Sequence, residues 1–228
     1  MNLLFCFSNR FSGYDKGEKF MDLLLKESLK ASYNQQADLR SKSEIEEWKI
    51  NKLDTFIEAL YKNDFTNVLD IGSGSGQHGK YLMDHNMDVT CIDLSPKMVE
   101  TCRHKGLKAE VMDYYTLHFE SESFDAVWAM NTLLHVPKVS LPAVLKNIHT
   151  VLRKDGLFYM GVYGGQDSEG VWENDSYVPK RFFSFYTDED LVDVVSPLFE
   201  VLDFHTIPEA GGSMDFQSLL LRKKPIID

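Results

Sequence analysis

Gly72, Gly74 and Gly76 stand at alternate positions directly after the short apolar run 68–71. Glycine lets the backbone come close to a ligand and adopt a positive φ. A helix is predicted to begin at about residue 77, and a helix N-terminus offers free N–H groups and positive partial charge. Because a plain turn does not need so many glycines, the spacing predicts a ligand site at residues 72–77.

Two carboxylates flank this loop in the sequence. Asp70 precedes the glycines, and Asp93 follows the next apolar run, 89–92. Residues 74–79 also spell G-x-G-x-x-G, the dinucleotide fingerprint, but a frame that starts at Gly72 places Gln77 where the last glycine belongs. Asp70 would face a pyrophosphate at an electrostatic cost. It therefore favours a ligand with a positive charge, while a nicotinamide-dependent oxidoreductase stays open as an alternative.

Apolar runs alternate with helical patterns between about residues 67 and 165. Strands are predicted at 68–71, 89–92, 109–112, 124–130 and 157–163, and helices at 77–85, from 95 to the glycine at 106, and at 141–152. Such alternation predicts an α/β fold with a doubly wound, mostly parallel sheet and helices on both faces. Two last strands, 199–205 and 216–222, have no helix between them. They complete seven strands as an antiparallel C-terminal edge pair.

The flanking segments have other patterns. Two helices, 15–31 and 43–61, predict an N-terminal helical extension or lid over residues 1–62, before the ligand-binding domain at 63–228. An insertion at about 164–186 is polar and aromatic, and a helix follows it at 187–195.

Composition limits the class of protein. The 228 residues carry a net charge of −11, which disfavours broad binding to nucleic acid or anionic membrane. Cys6, Cys91 and Cys102 form no metal-ligand spacing and no disulfide framework, which suits a reducing cytoplasm. No apolar run reaches the length of a membrane span, and the apolar stretch 3–7 is too short for a signal peptide. We therefore expect a soluble, cytoplasmic protein.

Residues 68–76 resemble the first signature of the class I (Rossmann-like) S-adenosylmethionine (SAM)-dependent methyltransferases. Further signatures follow in register. They are the acidic Asp93, the adenine-edge segment 112–114, the fourth strand with its loop at 124–136, and the turn 152–157. The resemblance covers about residues 65–165 and is to the small-molecule type. It implies SAM as cofactor, S-adenosylhomocysteine as product, and no metal.

The resemblance also implies roles for individual residues around the cofactor. Asp93 would bind both ribose hydroxyls, and Asp70 would either hold the methionine ammonium or bond the loop's own N–H groups. Asp113 or the Tyr114 backbone would contact the adenine edge. The remaining cofactor residues are the loop residues Gly72, Ser73, Gly74, Gly76 and Gln77, the adenine-flanking Leu94, Met98 and Met112, and Met130 and Asn131 beneath the sulfonium.

Other residues are expected to close the site. Segment 33–40 resembles a segment that covers SAM in several small-molecule methyltransferases, with Tyr33 above the cofactor and Arg40 paired with the methionine carboxylate. His135 is a candidate general base, or else a structural histidine. The acceptor would contact Tyr163 and residues of the insertion, namely Trp172, Arg181 and Phe182.

The resemblance thus implies transfer of a methyl group from SAM to an O, N or S atom of a small molecule. A nicotinamide-dependent oxidoreductase and a non-catalytic SAM-binding protein are the alternatives. Expected partners are the acceptor alone, without nucleic acid or membrane, in a monomer or homodimer.

Overall fold

A computed structural model describes residues 14–208 and 214–225, with side chains from residue 23 onward. The predictions on Cys6 and on the apolar stretch 3–7 lie outside the described residues.

A seven-stranded sheet forms the centre of the molecule, in the order β3-β2-β1-β4-β5-β9-β8. Strands β1 to β5 are parallel, whereas β9 runs antiparallel to both β5 and β8. Their bounds are Asn67–Ile71 (β1), Asp88–Asp93 (β2), Lys108–Val111 (β3), Phe124–Met130 (β4), Leu152–Gly164 (β5), Phe199–Pro208 (β8) and Asp215–Lys223 (β9). The predicted fold class and the antiparallel C-terminal pair are confirmed.

Four helices follow β1 along the chain, and their caps explain where two of them begin. They are α3 (Gln77–Asp84), α4 (Pro96–His104), α5 (Leu141–Val151) and α6 (Asp188–Val195). Ser95 accepts a hydrogen bond from the backbone N–H of Met98 at 3.2 Å, and Thr187 accepts one from that of Asp190 at 3.1 Å. Such caps satisfy N–H groups that have no partner within the helix.

Buried side chains form a core on each face of the sheet, as alternation along the strands requires. One core centres on Phe158 and Phe199, and the other on Trp128, whose ring stacks on Tyr159 with 4.0 Å between centroids. None of the described helices is both long and apolar enough to cross a lipid bilayer.

The N-terminal extension differs from the prediction, which placed two helices at 15–31 and 43–61. Helix α1 is continuous over Tyr14–Ser41, and α2 covers Glu47–Lys62. Leu29, Ser32 and Ala37 of α1 are buried. These buried contacts stabilise the helix through segment 33–40, and that segment contains no proline or glycine that would interrupt it.

The insertion contains two strands that the sequence did not predict. Strands β6 (Ser168–Val171) and β7 (Phe182–Phe185) form an antiparallel pair apart from the main sheet. The sequence of β6 contains Gly170 and polar residues, so it shows no alternation of apolar and polar side chains. The strand forms through its hydrogen-bonded pairing with β7.

Candidate active site

A cleft opens at the carboxyl ends of β1, β2 and β4, beneath helix α1. It holds about 580 Å³ of space between protein atoms, part of it open to solvent. The carboxyl ends of parallel strands are where doubly wound folds bind ligands. The lining residues are Leu29, Lys30, Tyr33, Arg40, Ile71, Gly72, Gly74, Ile92, Asp93, Leu94, Ser95, Met112, Tyr114, Met130, Asn131, Thr132 and His135.

The glycine loop has the left-handed backbone that its sequence suggested. Gly72, Gly74 and Gly76 have φ values of 66°, 55° and 77°. The N–H groups of Gly72 and Ser73 donate to the carbonyl oxygen of Ile92 at 2.8 and 3.0 Å, which ties the loop to β2. A Cβ at Gly72 would overlap Thr132, so this glycine is required by packing as well as by its φ.

Asp93 lies at the end of β2 with both carboxylate oxygens engaged by the backbone. Oδ2 accepts the N–H of Gly74 at 2.9 Å, and Oδ1 accepts that of Ser95 at 2.8 Å. Burial raises the pKa of the carboxyl above its ordinary value, while these N–H groups and the charge of Arg40 oppose that shift. Each oxygen retains a second lone pair, so Asp93 remains able to accept hydrogen bonds from a ligand's hydroxyls.

Asp70 is not among the residues that line the cleft. Its carboxyl is 1% exposed, accepts a backbone hydrogen bond from Gly79 in α3, and lies 3.9 Å from the thiol of Cys91. Burial is the main reason that its pKa is well above the usual range. These partners lie in α3 and β2 rather than in the glycine loop, and both roles expected for Asp70 stay predictions.

Two of the expected adenine-flanking residues line the cleft, and one does not. Leu94 and Met112 line both the cleft and a neighbouring open cavity that Asp113 borders. Met98 is fully buried in α4. The Asp113 carboxylate accepts N–H groups of residues 115 and 116 and pairs with Lys26 at 3.1 Å.

Arg40 reaches over the glycine loop from the end of α1. Its guanidinium donates to the Tyr177 hydroxyl at 3.1 Å, while its Nε is buried without a hydrogen-bond partner. Among the described residues, it forms no ion pair with a carboxylate. A partly buried cation in this state fits an anionic group of a ligand, because a buried charge needs a partner.

Tyr33, His135 and Arg181 come together from three distant parts of the chain. The Tyr33 hydroxyl lies 2.9 Å from Nε2 of His135 and accepts from Arg181 at 3.2 Å. Nδ1 of His135 lies 2.8 Å from the carbonyl oxygen of Phe182. Since a carbonyl only accepts, Nδ1 carries the proton in neutral His135, and Tyr33 donates to Nε2.

This polar cluster is anchored by an ion pair within the insertion. Arg181 donates to both oxygens of Asp175 at 2.8 Å, and its guanidinium lies 3.6 Å from the centroid of the Tyr177 ring. The Asp175 carboxylate is 2% exposed. Bidentate pairing fixes the guanidinium in orientation, so the insertion presents Arg181 to helix α1.

A second, smaller cavity adjoins the cleft on the side of the insertion. It holds about 260 Å³ between protein atoms and shares Leu29, Tyr114 and His135 with the cleft. Its other lining residues are Leu25, Lys26, Tyr115 and Phe182. The wall is mostly apolar and aromatic, as is typical of sites for small organic molecules.

The remaining predicted site residues lie outside both cavities. Ser73 faces Cys102, Gly76 packs against Leu107 and Cys102, and Gln77 donates to the Ser43 backbone. Trp172 packs on Phe183, and Tyr163 packs on Phe216 with ring centroids 5.4 Å apart. Tyr163 thus lies against core side chains rather than at an acceptor cavity.

Sequence reasoning missed several residues that line the two cavities. Leu25 and Leu29 lie one helical turn apart on α1, as do Lys26 and Lys30. This spacing places them on one face of the helix. Thr132 and Tyr115 follow predicted residues directly, but only the folded chain shows which way their side chains point.

Comparison with known proteins agrees with this geometry. Residues 69–160 match the family model described as "Methyltransferase domain". The chain is 25% identical over 138 residues to phosphoethanolamine N-methyltransferase 1 of Arabidopsis thaliana, covering 58% of this chain and 28% of that protein. It is 29% identical over 158 residues to 27-O-demethylrifamycin SV methyltransferase of Amycolatopsis mediterranei, covering 65% and 56%.

A solved structure shares nearly the whole fold. It is 1,6-didemethyltoxoflavin-N1-methyltransferase of Burkholderia thailandensis with 1,6-didemethyltoxoflavin and S-adenosylhomocysteine bound, at a TM-score of 0.70 and 18% identity, over 96% of this chain and 94% of that one. The chain spans only 28–34% of the length of several curated relatives that it matches. By its domain match and its fold, the chain contains a methyltransferase domain at residues 69–160 and has the fold of the class I SAM-dependent methyltransferases.

Proposed function

We propose that this protein transfers the methyl group of SAM to a small-molecule acceptor. The observation that carries the proposal is the cleft itself. It brings Asp93, a carboxylate that can accept hydrogen bonds from ribose hydroxyls, and Arg40, a guanidinium without an ion-pair partner among the described residues, to the same glycine loop.

The side chains of the cleft fit the parts of SAM. Asp93 has lone pairs for two ribose hydroxyls, and Arg40 offers its guanidinium to the methionine carboxylate. Leu94 and Met112 offer apolar contact to the adenine, near Asp113. Bound SAM supplies a sulfonium whose methyl group is already activated for transfer. The chain's own contribution is to bind, align and exclude water.

The second cavity is the proposed acceptor site. It meets the cleft at Leu29, Tyr114 and His135, and Phe182 of the insertion forms part of its wall. Within the 1–62 extension, helix α1 acts as the lid, because it lines both cavities and bonds to the insertion through Tyr33 and Arg40. Arg181 positions Tyr33 rather than contacting the acceptor.

The test is calorimetric titration with SAM, S-adenosylhomocysteine and NAD, followed by incubation of labelled SAM with an acceptor library. We expect binding of the first two ligands only, and release of S-adenosylhomocysteine with at least one library member. NAD binding without SAM binding would indicate an oxidoreductase. SAM binding without turnover on any small molecule would indicate a non-catalytic SAM-binding protein.

The composition of the chain supports proposals on the kind of acceptor and on the cellular location. The net charge of −11 favours a free small molecule over nucleic acid or an anionic membrane as acceptor, and the few cysteines favour the cytoplasm. Scattering in solution should give a monomer or homodimer. Cell fractionation of the tagged full chain tests the location.

A further inference from the structure

The junction of the two cavities contains no described side chain that is free to remove a proton. His135 is the nearest candidate, but its Nδ1 donates to the Phe182 carbonyl and its Nε2 accepts from Tyr33. Arg181 and Arg40 face the same cluster and disfavour a positive charge on the ring, whereas Asp175 favours it. Its 5% exposed ring is therefore committed to orienting Tyr33.

The other titratable groups at the junction are also committed. Both oxygens of Asp93 accept backbone N–H groups, and Asp113 is paired with Lys26. Tyr114 lines both cavities as a buried phenol, and burial holds its pKa well above the ordinary value. It therefore stays protonated at neutral pH.

Apart from Arg40, which lines the cleft and is assigned to the methionine carboxylate, the cations near the acceptor cavity have partners of their own. Arg181 is in a bidentate pair with Asp175, Lys26 pairs with Asp113, and Lys30 lies 3.7 Å from Glu27. A hydroxyl acceptor needs either a base that takes its proton or an unpaired cation that stabilises its oxyanion. The described residues of this cavity offer neither.

One polar atom at the end of β4 does lack a partner. Asn131 lines the cleft, as does His135, and the Oδ1 atom of Asn131 is buried without a hydrogen bond. Its backbone has a φ of 56°, and its N–H donates to the Gly161 carbonyl at 2.8 Å. Non-glycine residues held in this region cluster at functional sites. A buried carbonyl oxygen of this kind is satisfied when a ligand donates to it.

Building on the proposed function, we propose that the acceptor atom is an uncharged nitrogen that bears hydrogen, and that Asn131 Oδ1 accepts a hydrogen bond from it. Such a nitrogen has a lone pair without prior loss of a proton. The lone pair forms the new N–C bond as the S–C bond breaks, and the electrons of that bond stay on sulfur. The nitrogen gains the positive charge and afterwards loses a proton to water.

The first experiment identifies the methylated atom. The full chain is incubated with SAM carrying a ¹³C-methyl group, together with a yeast small-molecule extract or with two matched pairs, aniline with phenol and 5-aminoindole with 5-hydroxyindole. The NMR shift of the labelled methyl distinguishes N-methyl from O-methyl and S-methyl products. We expect N-methyl products; O-methyl or S-methyl as the main product would overturn the inference alone. SAM binding without any labelled product would count against the proposed function, and the inference would fall with it.

The second experiment tests Asn131 with the methylated nitrogen compound from the first. Asn131→Gly tolerates the positive φ but lacks the oxygen, and Asn131→Asp retains an oxygen acceptor. We expect Asn131→Gly to raise the acceptor KM about tenfold. Because Asn131 also lines the cofactor cleft, the Kd of SAM should rise as well, but by clearly less than the acceptor KM. Asn131→Asp should restore much of the acceptor affinity. An equal loss of SAM affinity in Asn131→Gly, or an unchanged acceptor KM, would refute the assignment.

Discussion

Arg40 is a cation whose neighbours are a hydroxyl, an aromatic ring and the glycine loop. It donates to Tyr177 at 3.1 Å, its guanidinium carbon lies 5.6 Å from the centroid of the Tyr33 ring, and its Nε is unpartnered. Asp93, at the same loop, is a carboxylate held by two backbone N–H groups. At the scale of residues, the site is thus a pair of opposite charges, each fixed by the protein and each open to a ligand.

Arg40→Met should weaken SAM binding by about 1.5–3 kcal/mol, since it removes a charged hydrogen-bond partner. Arg153→Met is the matched control, because Arg153 is an exposed arginine that pairs with Asp125 away from the cleft. Calorimetric titration measures both variants. Equal affinities for SAM in the two would argue against the pairing with the methionine carboxylate.

Asp93→Ala should cost SAM binding a similar amount, about 1.5–3 kcal/mol, because charged hydrogen bonds to the ribose are lost. The SAM affinity of Asp93→Asn should lie between those of the wild type and Asp93→Ala, since one amide oxygen remains as an acceptor. Circular dichroism checks that both variants retain the fold. Normal SAM affinity in Asp93→Ala would show that the ribose lies elsewhere.

At the scale of elements, the glycine loop shows how β1 and α3 create the cleft. The loop is tied to β2 through the Ile92 carbonyl, and Gly72 packs directly beneath Thr132, which follows β4. Helix α1 then closes the cleft through contacts with the insertion: Tyr33 with Arg181, Arg40 with Tyr177, and Ser32 with the Pro179 carbonyl. The loop and the lid are therefore held by different elements.

Gly72→Ala should abolish measurable SAM binding and destabilise the protein more than Gly106→Ala does. Gly106 also has a positive φ, 82°, but nothing lies within 4 Å of a Cβ placed there. The control variant therefore carries only the backbone cost of about 1–2 kcal/mol. Overlap with Thr132 adds about 1–3 kcal/mol at Gly72. Urea unfolding compares the two variants, and equal costs would contradict the close packing.

At the scale of the whole molecule, burial of neutral groups links stability to pH. Burial lowers the pKa of His135 to about 3, from 6.5 in an exposed residue. The unfolded chain therefore binds a proton at this histidine at pH values where the folded protein does not. This contribution to stability is present above about pH 6.5 and is lost progressively as the pH falls towards about 3.

His135→Gln should reduce the acid sensitivity of the protein, because glutamine can form hydrogen bonds in the cluster but does not titrate. The histidine contributes a slope of at most about 1.4 kcal/mol per pH unit. Between about pH 7 and about pH 5, the wild type should lose on the order of 2 kcal/mol more than the variant. Urea unfolding at the two pH values measures this, and parallel losses would mean that His135 is protonated in the folded state.

The sequence by itself determined the parts of this protein that depend on neighbours along the chain. Alternating apolar runs and helical patterns predicted the doubly wound sheet and its antiparallel end. The glycine loop and Asp93 were located because each follows a strand directly, so strand direction alone brings them to one edge.

Tertiary structure alone decided which side chains face the cavities. Tyr33 is separated along the chain from His135 by 102 residues and from Arg181 by 148, and no local sequence pattern predicts their contact. Asp70 and Tyr163 stand beside site residues in the sequence, but Asp70 contacts Gly79 of α3 and Cys91 of β2, and Tyr163 packs on Phe216. A residue's side of a loop or strand is set by packing against distant elements, and this packing placed α1 against the cleft and Phe182 of β7 at the second cavity.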